Sequence, residues 1–279
     1  MTYLTAALLG LIQGIAEFLP ISSSGHLALF QNFLGLTDVE HDHVFFDVLL
    51  HFGTLISVCV VYRHDVVDMI REFFAGIGDL FSRGGSRKSA PPPARRLVML
   101  IILGTLPLFV ILPVKDLVEG LYTNTLFVGF ALLVTGLVLF LSDQLARGRK
   151  TERNATVADA LLVGCAQALA VVPGLSRSGT TISAGMMRGM DRSFAVRFSF
   201  LLSLPAVFGA NLLSLIDALQ EGFDPSVLPM YLLGMAVAMI SGYFAIGLVK
   251  LLASKGKFGN FAYYCWLVGI IAIAATVLA

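Results

Sequence analysis

Charge is scarce in this chain and unevenly placed. Lys, Arg, Asp and Glu make up 13% of its 279 residues against 57% hydrophobic ones, and the mean hydropathy is +0.86. So little charge excludes an ordinary soluble domain and leaves an all-α polytopic membrane protein, read here as a single membrane domain over 1–279. Cysteine is scarce too. Cys59, Cys165 and Cys265 each stand alone in apolar runs, without disulfide or metal-ligand spacing, which leaves them as small core residues. No Lys or Arg precedes Arg63, so no basic stretch introduces Tyr3–Ile12 and a cleavable leader is not expected. The net charge of +1 gives no reason to expect a nucleic-acid partner.

What is present is apolar sequence in bilayer-length runs. Six are long enough to cross, at roughly 20 residues each: Val44–Tyr62, Leu97–Val114, Leu126–Leu141, Phe194–Ile216, Val227–Leu252 and Phe261–Ala279. Leu4–Leu34 and Val157–Met190 differ. Each is a short apolar run, a break rich in Pro, Gly and Ser, and a second short run. Each predicts a re-entrant helical hairpin, whose irregular backbone is tolerated only in a protein interior or along a cavity. The basic residues of 63–96, 143–156, 188–197 and 250–257 mark the cytoplasmic side. The acidic segments Asp38–His43, Lys115–Glu119 and Asp217–Asp224 go outside, and of 19 basic residues only Lys115 joins them, with Arg177 at a break. The first hairpin then enters from outside and the second from the cytoplasm. Three crossings per half predict an inverted-topology repeat, with repeat 1 over 1–142, a linker over 143–156 and repeat 2 over 157–279. The basic segment Ser82–Arg96, with its Gly pair and three prolines, reads as a flexible linker without chemistry.

The two breaks resemble each other. At an offset of 154, Gly10, Gln13, Ala16, Ser22, Ser24 and Gly25 fall on Gly164, Gln167, Ala170, Ser176, Ser178 and Gly179. Serines at a break before an apolar run are helix N-caps, and two half-helix N-termini facing one another bind anions. Arg177 adds a donor fork suited to phosphate, so phosphate or pyrophosphate is the simplest ligand. Ser22, Ser24, Gly25, Ser176, Ser178, Gly179, Thr180 and Thr181 are the expected binding residues. Reaction is suggested by the rest. Ser23 is a candidate nucleophile with His26 as its base or acid; equally, His26 could attack phosphorus or activate water. Glu17, with Gln13 one turn earlier on the same face, could hold a divalent cation or act as general base.

Plainer readings stand beside these. The serines could be caps only, and Arg177 could be a structural counter-ion to Glu17. Asp47 and His51 read as an interfacial pair. The H-x-H spacing of His41 and His43 is weak ground for a metal. Gly10/Gly14 and Gly185/Gly189 suit close helix packing.

Glu17-Phe-Leu-Pro-Ile-Ser-Ser-Ser-Gly-His26 and Pro173-Gly-Leu-Ser-Arg-Ser-Gly-Thr-Thr181 resemble the two signature motifs of the undecaprenyl-diphosphate phosphatases, bacterial membrane enzymes also known for bacitracin resistance. The likeness extends to Phe46-Asp47-Val-Leu-Leu-His51-Phe-Gly53-Thr54 and covers nearly the whole chain. It implies hydrolysis of a C55 polyprenyl diphosphate to the monophosphate and inorganic phosphate, recycling the lipid carrier for cell-wall synthesis. It also implies a divalent cation, Mg²⁺ or Ca²⁺, a plasma-membrane location and a site open to the outer face; it allows a homodimer. Gln13 and Glu17 occupy the family's (Glu/Gln)-x-x-x-Glu motif, and because Gln13 is uncharged the cation falls mainly to Glu17. The family's serine, histidine, arginine and threonine map to Ser23, His26, Arg177 and Thr181. Ser23 assisted by His26 is the expected attacking pair. The rival reading is a transporter or flippase that uses the same anion site without cleavage.

Glu17→Gln is expected to abolish the divalent-cation response of phosphate release. An unchanged metal titration would assign Glu17 another role.

Overall fold

The computed structural model describes residues 2–34, 44–81, 91–114, 117–118, 120–221 and 225–278. Regular structure among them is helical, and the β contact present is an isolated bridge between Lys150 and Met190. An apolar surrounding demands this, because a helix satisfies its own backbone and a strand edge does not. In chain order the helices are α1 (Tyr3–Phe18), α2 (Ser23–Leu34), α3 (Val44–Val61), α4 (Arg63–Phe81), α5 (Pro93–Thr105), α6 (Thr125–Leu145), α7 (Val157–Leu169), α8 (Arg177–Met187), α9 (Arg192–Glu221), α10 (Leu228–Ser254) and α11 (Phe261–Leu278). Five stretches are long and apolar enough to cross a membrane: Pro93–Ile111, Thr125–Leu145, Arg192–Ile216, Leu228–Ser254 and Phe258–Leu278. They coincide with five of the six expected runs, and the protein is an all-helical, multi-pass membrane protein. Pro93 opens α5 where no N–H is needed, and beyond Thr105 the prolines at 107 and 113 tighten the chain into 3-10 turns over Leu106–Val114.

The sixth run ends differently from expectation. α3 turns by 88° into α4, and 63–81, assigned from its basic residues to the cytoplasmic side without a conformation, is a helix. Beyond Arg63 its charges, Asp65, Asp68, Arg71, Glu72 and Asp79, gather on one side. Val67, Ile70 and Phe74, spaced three and four apart, are exposed along another. Arg95 on α5 ties α4 down through Glu72 at 2.8 Å and Asp79 at 2.7 Å. Residues 82–90 of the expected linker lie outside the described residues, as do His41 and His43. Cys265 is buried as expected, Cys59 is half-buried, and Cys165 is exposed, so for Cys165 the core reading fails.

Both interrupted segments fold as a short helix, a break and a second short helix. Each leading helix packs on a long helix from the other half of the chain: α1 along α10, and α7 along α5. Glycines permit the approach. A Cβ at Gly10 would run into the backbone carbonyl of Gly234, and a Cβ at Gly164 into that of Gly104. Gly10 and Gly164 are again 154 apart. The remaining long helices cross in pairs, α3 with α9 and α6 with α11. Three basic residues after α6 are held in ion pairs with buried or half-buried acids: Lys150 and Arg188 clasp the fully buried Asp159 at 2.8 and 2.9 Å, and Arg192 pairs with Asp143. Asp159 also completes a capping box with Thr156 that starts α7.

Gly164→Val is expected to push α7 off α5 and destabilise the protein by about 1–3 kcal/mol, the usual cost of overpacking. Gly247→Ala, where a Cβ meets open space, is expected to change stability by less than about 1 kcal/mol. Thermal unfolding in detergent checks both; equal melting of Gly164→Val and wild type would remove the close approach as a constraint.

Candidate active site

α1 stops because Pro20 forces the preceding residue out of the helical region: Leu19 has φ −64° and ψ 140°. Ser22 follows with φ +67°, a left-handed conformation that costs a non-glycine residue about 1–3 kcal/mol. Two bonds hold it. Its Oγ accepts from the Gly25 N–H at 3.2 Å, and its carbonyl accepts from His26 Nδ1 at 2.8 Å. In the second segment Gly174 takes the left-handed position with φ +90°, and Ser176 caps α8 by accepting from the Gly179 N–H at 3.2 Å. Ser22 and Ser176 are thus equivalent caps. The caps leave the N–H groups of Ser23, Ser24, Arg177 and Ser178 without intrahelical partners.

The two breaks touch. A Cβ on Gly25 would lie 2.8 Å from the Gly174 Cα, and one on Gly179 would lie 3.1 Å from the Pro20 Cβ. Adding 154 to 25 gives 179, and subtracting it from 174 gives 20, so the second contact repeats the first with the halves exchanged. Crossing helices brace both tips. Thr135 on α6 donates to the Gly174 carbonyl at 2.8 Å and accepts from the Ser176 N–H at 3.2 Å. Cys265 on α11 donates to the Pro20 carbonyl at 3.6 Å. Ser178 reaches the Leu19 carbonyl of the other break at 3.3 Å.

A cavity of about 410 Å³ opens between these tips, lined among others by Glu17, Ser22, Ser23, Ser24, Ser176 and Arg177. Glu17 is its centre. Its side chain is 7% exposed, and Arg177 pairs with Oε1. Oε2 accepts from Ser23 Oγ at 3.3 Å and from Gln13 Nε2 at 3.2 Å. Gln13 Nε2 also lies 3.2 Å from His51 Nδ1. An amide nitrogen only donates, so His51 accepts here and carries any single proton on Nε2. His51 lines the cavity, which brings it into the site and not merely into an interfacial pair. The counter-ion reading of Arg177 and its placement in the cavity hold together.

His26 sits elsewhere than the expected position beside Ser23. A carbonyl only accepts, so Nδ1 carries the proton donated to Ser22, and Nε2 faces Tyr264 Oη at 2.9 Å. The Tyr264 ring stacks on the imidazole at 5.5 Å. The acceptor beside Ser23 is therefore Glu17. Thr181 also turns away from the cavity: its hydroxyl lies 2.5 Å from Ser199 Oγ and donates to the Arg177 carbonyl at 2.8 Å. Thr180 contributes its N–H to the Ser176 carbonyl at 2.8 Å. Sequence reading missed Tyr264, 238 residues from His26, and Thr135; neither has a local signal.

Among the described residues, no group of three or more His, Cys, Asp or Glu side chains could hold a metal alone. Glu17, the Gln13 amide oxygen and Ser23 supply hard oxygen donors. That set suits a cation that takes its other ligands from a bound phosphate, the usual Mg²⁺ arrangement. Arg177, Ser23 and Gln13 occupy three of the roughly four lone-pair sites of the Glu17 carboxylate, and the one left is on Oε1.

Comparison with known proteins adds the following. The family description "Bacitracin resistance protein BacA" matches residues 6–271. A protein named undecaprenyl-diphosphatase from Halothermothrix orenii is 44% identical over 266 residues, covering 95% of each chain. One of the same name from Alkaliphilus metalliredigens is 41% identical over 279 residues and covers 100% of both. One from Methanobrevibacter smithii is 40% identical over 279 residues, covering 99% of both.

Thr135→Val is expected to leave the Gly174 carbonyl and the Ser176 N–H buried without partners, costing about 1–3 kcal/mol. Thermal unfolding reads the loss, and Thr135→Ser is expected to restore most of it. Wild-type stability in the valine variant would show that the brace is dispensable.

Proposed function

The chain belongs to the bacitracin resistance protein BacA family, and from that premise we propose that it hydrolyses undecaprenyl diphosphate to undecaprenyl phosphate and inorganic phosphate. The observation that carries the reading is the buried Glu17, held between Arg177 and Ser23 inside a cavity formed where two broken helices meet. A buried charge pair adds little stability for its cost, so its retention in a membrane interior speaks for chemistry. The names of the relatives speak for hydrolysis and give the transporter reading no support.

The arrangement in the bilayer follows from the same reading. Six crossings, counting α3, and two re-entrant hairpins, α1–α2 and α7–α8, form an inverted repeat of about 1–142 and 157–279 within one membrane domain. Reciprocal packing of α1 on α10 and α7 on α5 supports it. The distribution of basic residues supports a plasma-membrane protein whose cavity faces outward.

In the mechanism, Arg177 moves its donor fork from Glu17 to the oxygens of the terminal phosphate as substrate enters. The first-turn N–H groups of α2 and α8 add their positive ends. Glu17, released from its counter-ion, takes the Ser23 proton through Oε2. Ser23 Oγ forms a bond to the terminal phosphorus as the bridging P–O bond breaks and undecaprenyl phosphate leaves with the electron pair. Glu17 hands that proton to the departing undecaprenyl phosphate and is a base again. Water then attacks the phosphoserine, Glu17 takes the water proton and returns it to Ser23 Oγ as the Ser23 O–P bond breaks, and inorganic phosphate departs. Glu17 and Gln13 would hold a divalent cation, and the chemistry it would supply when bound is neutralisation of phosphate charge. His26 acts as a positioning residue. Through Ser22 it fixes the strained turn that presents Ser23, and Tyr264 fixes His26.

Phosphate release from the C55 diphosphate by purified protein, with and without EDTA, tests the activity. Arg177→Ala is expected to reduce turnover by about 10²-fold or more. Because it strands Glu17, Arg177→Lys serves as a folded control that keeps the charge and loses the fork. Near-normal release by both variants would remove Arg177 from the mechanism. Acid-quenched protein is expected to carry phosphate on Ser23 by mass spectrometry; phosphate on His26 would overturn the Ser23 assignment.

A further inference from the structure

One part of the cavity wall is polar and has no role in the mechanism above. Gln167 on α7 is 2% exposed, and among the described residues neither end of its amide has a partner. Asn211 on α9 is 6% exposed, and its Nδ2 has none either. Both line the cavity that contains Glu17, Ser23 and Arg177. Buried polar groups are almost always hydrogen-bonded, so two orphaned amides on one cavity need a partner from outside the chain.

The repeat explains how Gln167 lost its partners. At the offset of 154 its counterpart is Gln13, which bonds to Glu17 and faces His51. The matching positions beside Gln167 are Val171 and Pro205, and neither side chain can bond to an amide. The counterpart of Asn211 is Ser57, whose hydroxyl is satisfied by the Met239 carbonyl at 2.7 Å. In one half of the chain these positions are closed by internal bonds; in the other they are left open to the cavity.

We propose that Gln167 and Asn211 form a second phosphate subsite, which holds the lipid-side phosphate while the terminal phosphate lies against Ser23 and Arg177. This rests on the diphosphatase reading. A diphosphate has more free oxygens than one guanidinium fork can address. Neutral amides add donors without adding charge, so they grip the substrate without trapping the charged product. The Gln167 carbonyl can accept from a P–OH group or a bridging water. The surroundings suit the phosphate that carries the prenyl chain: Leu108, Ala206, Val207 and Ala210 line the same cavity and are apolar. Turning the Gln167 amide toward the ligand requires rotation mainly about its terminal torsion, which is broad and nearly free.

The test uses full-length protein in detergent with the C55 diphosphate as substrate. Gln167→Met and Asn211→Leu keep side-chain size and remove the amide. Each is expected to raise KM about tenfold, and the inhibition constant of undecaprenyl phosphate by a similar factor, as for loss of a hydrogen bond to a charged group. Turnover at saturation and inhibition by inorganic phosphate are expected to stay near wild type. Unchanged KM and unchanged inhibition by the lipid monophosphate would overturn the subsite. So would a selective loss of inhibition by inorganic phosphate, which would place the amides at the terminal phosphate. If one variant does not fold, the other, on a different helix, carries the test. No phosphate release by wild type would sink the diphosphatase reading and the subsite with it; wild-type release with unaffected variants would sink the subsite alone.

Discussion

A buried carboxylate facing a guanidinium across two helix breaks is the point on which this structure turns. Glu17 is on the first interrupted segment and Arg177 on the second, 160 residues apart. Neither charge is tolerable alone in an apolar bundle, and removing one partner of such a pair is commonly more damaging than replacing both. The pair therefore ties the two tips together electrostatically, as the Gly25–Gly174 and Gly179–Pro20 contacts tie them sterically. The capping serines, the braces from Thr135 and Cys265, and the strained Ser22 all keep that meeting point in register.

The halves are built alike and used differently. The caps, the tip contacts and the leading-helix glycines Gly10 and Gly164 repeat at one offset. The chemistry sits in the departures. Glu17 has no acidic counterpart, since position 171 is Val, and the position opposite Ser23 is Arg177. A symmetric anion site would bind a phosphate equally from both sides. In the proposed mechanism the nucleophile and base on one side, and the cationic fork on the other, give the bound group a direction along which a bond can break.

Much of this was legible in the sequence because membrane helices declare themselves by length and apolarity. Five runs were located within a few residues of the helices that form, and residues of both break motifs line one cavity. The α3–α4 bend was not legible. The basic residues of 63–96 assigned that stretch to the cytoplasmic side but gave 63–81 no conformation, and it is a helix. The roles of His26 and Thr181 were not legible either. Which way a side chain points depends on partners such as Tyr264 and Ser199, and no spacing rule brings those to the motif. Three-dimensional placement divides the motif members between cavity and packing.

The reciprocal seams also bear on how the chain is made. α1 is synthesised first, yet the helix it packs along, α10, begins at Leu228. At roughly 5–20 residues per second, that partner follows by about 10–40 s. Until residue 177 has emerged, Glu17 has no counter-ion, and until α10 arrives the Gly10 face of α1 has no neighbour. The newborn first interrupted segment therefore exists for that interval without the partners that hold it in the folded protein. Its final seating is thus among the last events of biogenesis, although it was the first part of the chain to exist.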